Sequence, residues 1–438
     1  MSYSLPYLST YDPATTSEGS LDPLGLYLIA DRLATKLVPG VRERMSHPRY
    51  LTAMAVGAHI CSPIREEYAI DGVTPAYQVY EWHIVEGFVS KYLRDSPDQI
   101  QGLPGIQKGA EAFQNNLPLR HNRYLKTPNV FGFHGVYRTL STELKVVSED
   151  YIIQETGHEM IEAWQKEQKL NGVYTGDGPG CRMVKLFREA IADGLSKGEV
   201  ARIWAWQIHQ EFAMHLRPHA IGKREAKLIF TAIRSENRPL RSTIIDFLLS
   251  ETGQNIWKNE RSERIFMAKL KDTGNAELIQ LINVINAYEK FARYFQDAFN
   301  CCLQKMSASG KSSHSELENM DGVKIAAKEM PVVFSDIEQG LDQHDMSHEF
   351  FRLFDEFQQK MTPSDWVMRM WQHHNKIQRS KGKPGKRNWF EKTDDGSFRI
   401  YPNNAIQDPV KLSKEYVHSY RTQPLWSFLL NLKMVHDG

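Results

Sequence analysis

Between Leu278 and Leu303 the apolar residues return at every third or fourth position. Leu281, Ile285, Tyr288, Ala292, Phe295, Phe299 and Cys302 therefore share one face of a helix. A face this regular commits the chain to helix packing. Two forms fit it: the spine of a bundle, or a short coiled-coil arm. The heptad stops at 303, which favours the bundle. The same face, with Leu281, Ile285, Tyr288, Phe295 and Phe299, could also dock a partner protein.

Helical spacing recurs through most of the chain. Asp22-Pro23 offers an N-cap with proline at the first helical position, opening a helix over 21–38 that Pro39-Gly40 ends. Further helices are expected from about 48 to 58 and 76 to 94. Gly132-Phe133-His134-Gly135 leads into another, and more are expected at 151–170 and 181–193, on either side of a glycine-rich loop. Later ones fall near 346–361, 363–380, 409–418 and 423–435. Alternating aromatics around Asp394-Asp395-Gly396 predict a hairpin, with strands near 388–391 and 397–401. The expectation is a mainly α, multi-domain helical bundle with a small β-hairpin near the carboxyl end. The short helices and tight turns of 105–195 also admit a winged-helix-like unit. The division expected is 1–104, 105–195, 196–304, a small polar linker at 305–320, and a last unit at 321–438. There is no internal repeat.

With 438 residues, 24% charged and 41% hydrophobic, the chain has the composition of an ordinary globular protein. A net charge of +1 gives no global nucleic-acid or membrane signature, so any such role must rest on a local patch. The four cysteines, Cys61, Cys181, Cys301 and Cys302, form no CxxC pair. That argues against a disulfide scaffold or a cysteine zinc site and for a reducing, cytoplasmic setting. The first twenty residues lack the basic and apolar regions of a secretory signal. No segment reaches the roughly 20 apolar residues of a membrane span, so no membrane partner is expected.

The densest local signal is Lys376 to Arg387. Lys376, Arg379, Lys381, Lys383, Lys386 and Arg387 occur there without an acidic residue. Gly382, Pro384 and Gly385 mark a loop, and His374 and Trp389 flank it. Cations beside aromatics suit contact with a nucleic-acid backbone, with Trp389 or His374 beside a sugar or base. A solvated charged loop is the plain alternative. Lys36, Arg42, Arg44, His47 and Arg49 form a second basic cluster, and Arg120, His121, Arg123 and Lys126 a third. Both read as ordinary surface or internal ion pairs as readily as phosphate contacts.

Catalytic patterns are sparse. His209, His215 and His219 do not share a helix face, and no H-E-x-x-H occurs. Asp342, His344, Asp345, His348 and Glu349 could hold a metal, with His344 and His348 one turn apart. They read equally well as the charged start of a helix. His374-Asn375-Lys376 matches half of a phospholipase-D-type motif, but Lys381 stands where an Asp is needed. The glycines of 172–180 lack the Gly-Lys-Ser/Thr ending of a phosphate loop, and there is no nucleophile elbow. No cofactor is implied.

Three stretches carry a resemblance. Leu21 to Tyr50 holds L-D-P-L-G-L, L-V-P-G-V-R-E-R and H-P-R-Y. Tyr124 to Tyr137 runs from Tyr-Leu-Lys-Thr-Pro to Gly-Phe-His-Gly-Val-Tyr. The third is Trp371-x-His-His-Asn-x-x-Gln, followed by Gly-Lys-Arg-x-Trp-Phe at 385–390. Together, over about a fifth of the chain, they resemble accessory proteins of bacterial anti-phage defence islands. The resemblance implies a non-catalytic subunit, working beside other defence subunits such as a helicase, nuclease or other ATPase on invading DNA. It carries no catalytic residues. Set beside that expectation are a protein–protein scaffold that recruits an ATPase or nuclease, and a metal-dependent hydrolase at Asp342 to Glu349.

Overall fold

The structure, a computed structural model, describes residues 22–200, 202–381 and 385–436, without the side chains of 202–207. It is mainly α, with one small antiparallel sheet among the described residues. The chain divides into two compact units, each built from two separate stretches. The first takes 1–38 and 255–422; the second takes 39–254 and 423–438. This replaces the five consecutive segments expected. The boundary expected at 304 falls inside the Ala276–Ser309 helix, and the one at 195 inside Pro179–Lys197. The expected linker at 305–320 is ordered: it holds the end of the long helix, a strand and the His314–Glu318 helix.

In the first unit the Ala276–Ser309 helix is the spine. Asn275 caps it by accepting from the backbone N–H of Leu278 at 3.0 Å, and Gly310, at φ +77°, ends it. The Asp321–Asp342 helix runs against it. Two glycines permit that approach. A Cβ on Gly322 would lie 2.9 Å from Cys301 Sγ, and one on Gly340 would lie 2.5 Å from Val284 Cγ2. They sit on one face, about five turns apart, and their contacts fall in reverse order along the spine, so the two helices are antiparallel.

Leu281, Ile285, Tyr288, Phe295 and Phe299 are each at most 2% exposed. They are core, not a docking face. Phe295 meets Phe354 and Trp366 edge-on and Phe357 at a tilt, all within the same unit, and ring contacts of this kind add to burial. The bundle reading of this helix is the one the fold adopts.

The sheet also belongs to the first unit. Strands β2 (Phe390–Lys392) and β3 (Phe398–Ile400) form the expected hairpin. A third strand, β1 (Lys311–Ser312), adds to β3, giving the order β1-β3-β2. The helix expected at 409–418 is absent. Instead, backbone N–H groups at the end of this stretch and just after it turn to two buried carboxylates. Val417 and His418 donate to Glu289 Oε2 at 2.7 and 3.1 Å, and Arg421 donates to Glu263 Oε2 at 3.1 Å. Such side-chain acceptors compete with a helix for the same donors.

In the second unit Tyr50–Cys61 and Ala76–Tyr92 are buried on nearly all sides. The latter packs against the Ile106–Gln114, Pro179–Lys197 and Arg202–Leu216 helices. A helix enclosed all round must satisfy its polar side chains internally. Glu86 accepts from Leu119 N–H at 2.6 Å, and His83 Nε2 bonds Ala190 O at 3.2 Å. Near this core, Arg49 pairs with Glu225 at 3.2 Å, both buried. The Gln423–Asn431 helix belongs here too: Asn431 Oδ1 lies 2.7 Å from His47 Nδ1. Over 105–195 the described residues form helices and no strand, so the winged-helix alternative lacks its wing. No helix among the described residues is long and apolar enough to cross a membrane.

Candidate functional site

The basic segment leaves a well-capped helix. The Thr362 side chain accepts from Asp365 N–H at 3.1 Å, Pro363 opens the first turn, and the helix runs Pro363–Ser380. Its inner face carries Trp366, Val367, Met370, His373, His374 and Ile377. Its outer face carries Arg369, Gln372, Lys376 and Arg379. Lys376 and Arg379 meet no charge partner among the described residues. Arg369 lies 3.7 Å from Glu356.

The structure sorts the eight sequence-predicted residues into four groups. Lys376, Arg379 and Arg387 are exposed, and Lys386 and Trp389 are half-buried. His374 and Lys381 point inward, which removes them as ligands for a nucleic acid. Lys383 lies outside the described residues.

His374 is fully buried. Its Nδ1 lies 2.9 Å from the Pro23 carbonyl, which can only accept, so Nδ1 holds the proton. Nε2 is then free to accept from the Trp389 N–H at 3.0 Å. Burial disfavours the charged ring and holds its pKa at about 4, against a smaller upward pull from the Pro23 hydrogen bond. Lys381 is 6% exposed and donates to the Asp22 carbonyl. Burial draws its ammonium down to about 8, partly offset by Asp22.

Arg387 lies over the Tyr401 ring, its Cζ 3.7 Å from the centroid. That cation–π contact leaves the guanidinium edge exposed. Trp389 packs beside Phe299 and His374. One cation missed in the sequence is Arg369. It stands two turns before Lys376, and helical spacing alone would have found it.

Most cations of the other basic clusters are engaged within the protein. Lys36 and Arg42 fall in different units. Arg49 is buried on Glu225, and His47 on Gln101 O and Asn431. Arg120 turns to Asn122, and Arg123 to the Pro118 carbonyl. At the proposed metal cluster, the helix starts only at Ser347, so His344 and His348 do not share it. Glu349 pairs with Arg32 and with Arg352. No group of three metal-ligating side chains gathers among the described residues.

A second arrangement, in the second unit, was not singled out in the sequence. Glu81, on the Ala76–Tyr92 helix, accepts from the Tyr124 hydroxyl at 2.5 Å, from His134 N–H at 3.2 Å and from His134 Nδ1 at 2.9 Å. Gly132 lets the chain come this close, since a Cβ there would lie 2.2 Å from Glu81 Oε1. His134 lines a cavity of about 310 Å³ with Tyr68, Tyr77, Asn129, Arg138 and Tyr151. The Tyr77 and Tyr151 rings lie 4.8 and 4.6 Å from the His134 ring. Tyr151 takes a left-handed backbone conformation, φ +59°, an uncommon and costly one for an aromatic residue. Its hydroxyl donates to the Met54 carbonyl at 3.1 Å, in space left by Gly57. The available signal was Glu81 itself, a carboxylate in the helix expected over 76–94.

Comparison with family models, with curated proteins and with solved structures finds no match for the chain.

Proposed function

We propose that the protein is a non-catalytic accessory subunit of a prokaryotic antiviral defence system that touches the phosphate backbone of DNA. The contact runs along the outer row of the Pro363–Ser380 helix. Lys376 and Arg379 hold two phosphates, Arg369 extends the row, and Arg387 adds a guanidinium braced on Tyr401. The observation that carries this reading is the pairing state of that row. Lys376 and Arg379 are exposed on one face with no carboxylate beside them, whereas most cations of the other basic clusters are engaged within the protein. Phosphate contacts of this kind position a protein without reading sequence. The defence setting rests on the resemblance of three short segments, one of which spans this helix.

The test is fluorescence anisotropy with a labelled duplex and its single strand at two salt concentrations. Binding should weaken as salt rises. The Lys376→Ala, Arg379→Ala double variant should weaken it for every sequence alike. Salt-insensitive binding, or no binding at low salt, would sink the reading.

A further inference from the structure

We infer that the cavity at Glu81 and His134 binds a single nucleobase, either of a free nucleoside or of an unstacked base in a strand. The first argument is size and wall chemistry. At about 310 Å³, the cavity is at the lower end of the range for small-molecule sites, which are concave and carry a few placed polar groups. Its walls are aromatic: Tyr77 and Tyr151 touch each other at 5.5 Å. Tyr68 is 59% exposed and has no ring partner among the described residues. An exposed tyrosine at the rim of such a cavity presents a free face on which a base can stack.

The second argument is one buried polar atom left over and an exposed amide on the same lining. His134 is 5% exposed, and its Nε2 has no hydrogen-bond partner among the described residues. A buried polar atom in that state is uncommon and calls for an explanation. Asn129 Oδ1 accepts from the Tyr77 hydroxyl at 3.2 Å, which leaves the Asn129 amide nitrogen as a donor with no partner among the described residues. A base presents donors and acceptors along one edge, so it can meet an amide N–H and an imidazole nitrogen together. Glu81 fixes the imidazole by holding Nδ1, as a carboxylate commonly orients a working histidine.

The third argument is charge. Arg65 is paired with Glu66 at 2.9 Å. Arg138 donates to the Glu149 carbonyl at 2.9 Å, and Glu149 and Asp150 add two carboxylates. With no net positive charge, the lining suits a neutral planar ligand better than a phosphate.

The test is isothermal titration calorimetry on the full chain with adenosine, guanosine, cytidine and thymidine, and with a mixed-sequence tetranucleotide. At least one nucleoside should bind saturably. Tyr68→Ala and Asn129→Ala, both at exposed positions, should each weaken it tenfold or more, and His134→Phe should abolish it, with helicity checked by circular dichroism. If only the tetranucleotide binds, with the same dependence on Tyr68 and Asn129, the base comes from a strand. No binding of either kind of probe, or binding indifferent to Tyr68 and Asn129, would overturn the inference. Nucleosides carry no phosphate for Lys376 and Arg379, so this result stands apart from the backbone-contact reading.

Discussion

The backbone N–H of Trp389 donates to Nε2 of His374 at 3.0 Å. This bond joins the end of the basic segment to the helix that precedes it, and it gives His374 a structural task. With Nδ1 on the Pro23 carbonyl, both ring nitrogens are used while the ring is neutral. The sign of the pH effect follows. Burial keeps the folded ring unprotonated down to about 4, whereas the unfolded ring takes its proton near 6.5. The stabilisation is therefore complete above about 6.5, declines as pH falls toward 4, and is gone below that. It amounts to about 3 kcal/mol at most. Urea unfolding at a series of pH values should show this decline, and His374→Asn should reduce it.

The reverse chemistry holds the 411–422 stretch. Burial alone would raise the Glu289 carboxyl, but the charges and hydrogen bonds of His418 and Arg421 outweigh it and hold the group at about 2. A depressed carboxylate stabilises above its unfolded value, near 4.5, and that stabilisation is lost as pH falls from there toward 2. Arg421 lies between Glu289, at 2.5 Å, and Glu263, at 3.9 Å, all three buried. Arg421→Met should cost about 3–5 kcal/mol, because two carboxylates lose their buried partner. A shift in the urea midpoint would report it. Glu289→Gln tests the same network, and a midpoint unchanged in both variants would contradict it.

Lys381 and Lys376 should separate cleanly. Lys381→Ala removes a buried donor from the Asp22 carbonyl and should lower stability by about 1–3 kcal/mol. It should leave the salt dependence of DNA binding unchanged. The Lys376→Ala, Arg379→Ala pair should do the opposite, with stability held within about 0.5 kcal/mol. Its salt slope on duplex DNA should fall by about 2. Parallel melting curves and salt titrations decide between the two patterns.

Phe295→Ala should leave a cavity among Phe354, Phe357 and Trp366 and cost about 3–5 kcal/mol. A residue that only met a partner protein would leave the melting temperature in place.

Gly57→Ala is a stringent probe of the second unit. Its methyl would lie 2.4 Å from Tyr80 Cε1 and 2.6 Å from the Tyr151 hydroxyl. One of the rings must shift, at a cost of about 1–3 kcal/mol. Tyr151 lines the cavity, so nucleoside binding should weaken with it. Wild-type melting and wild-type binding together would show that the packing at Gly57 is looser than described.

The helices were legible where a single face decides burial. The spine at Ala276–Ser309 follows from its period over 278–303, and the hairpin from its turn. The 409–418 stretch was not legible. Its backbone is claimed by Glu289 and Asp297, more than a hundred residues away, and no local pattern records that. His374 and Lys381 misled for a related reason: a basic or aromatic residue near a loop looks the same in sequence whether it faces water or a buried carbonyl. Strand β1 was hidden because two residues of polar sequence have no period. The cavity at His134 depends on Glu81, Tyr124 and Tyr151 meeting from three separate elements, which a linear reading of Gly132 to Gly135 as a helix start could not reveal.

The interleaving of the two units bears on how the chain is made. The Gln423–Asn431 helix belongs with 39–254, yet a ribosome reaches it only after the whole of 255–422 has been synthesised. The second unit must therefore wait, incomplete, while the stretch that completes the first is still emerging. A nascent chain stalled or cut anywhere before Asn431 would lack the partner that His47 holds. The damage would surface in the unit built on 39–254, far from the missing codons.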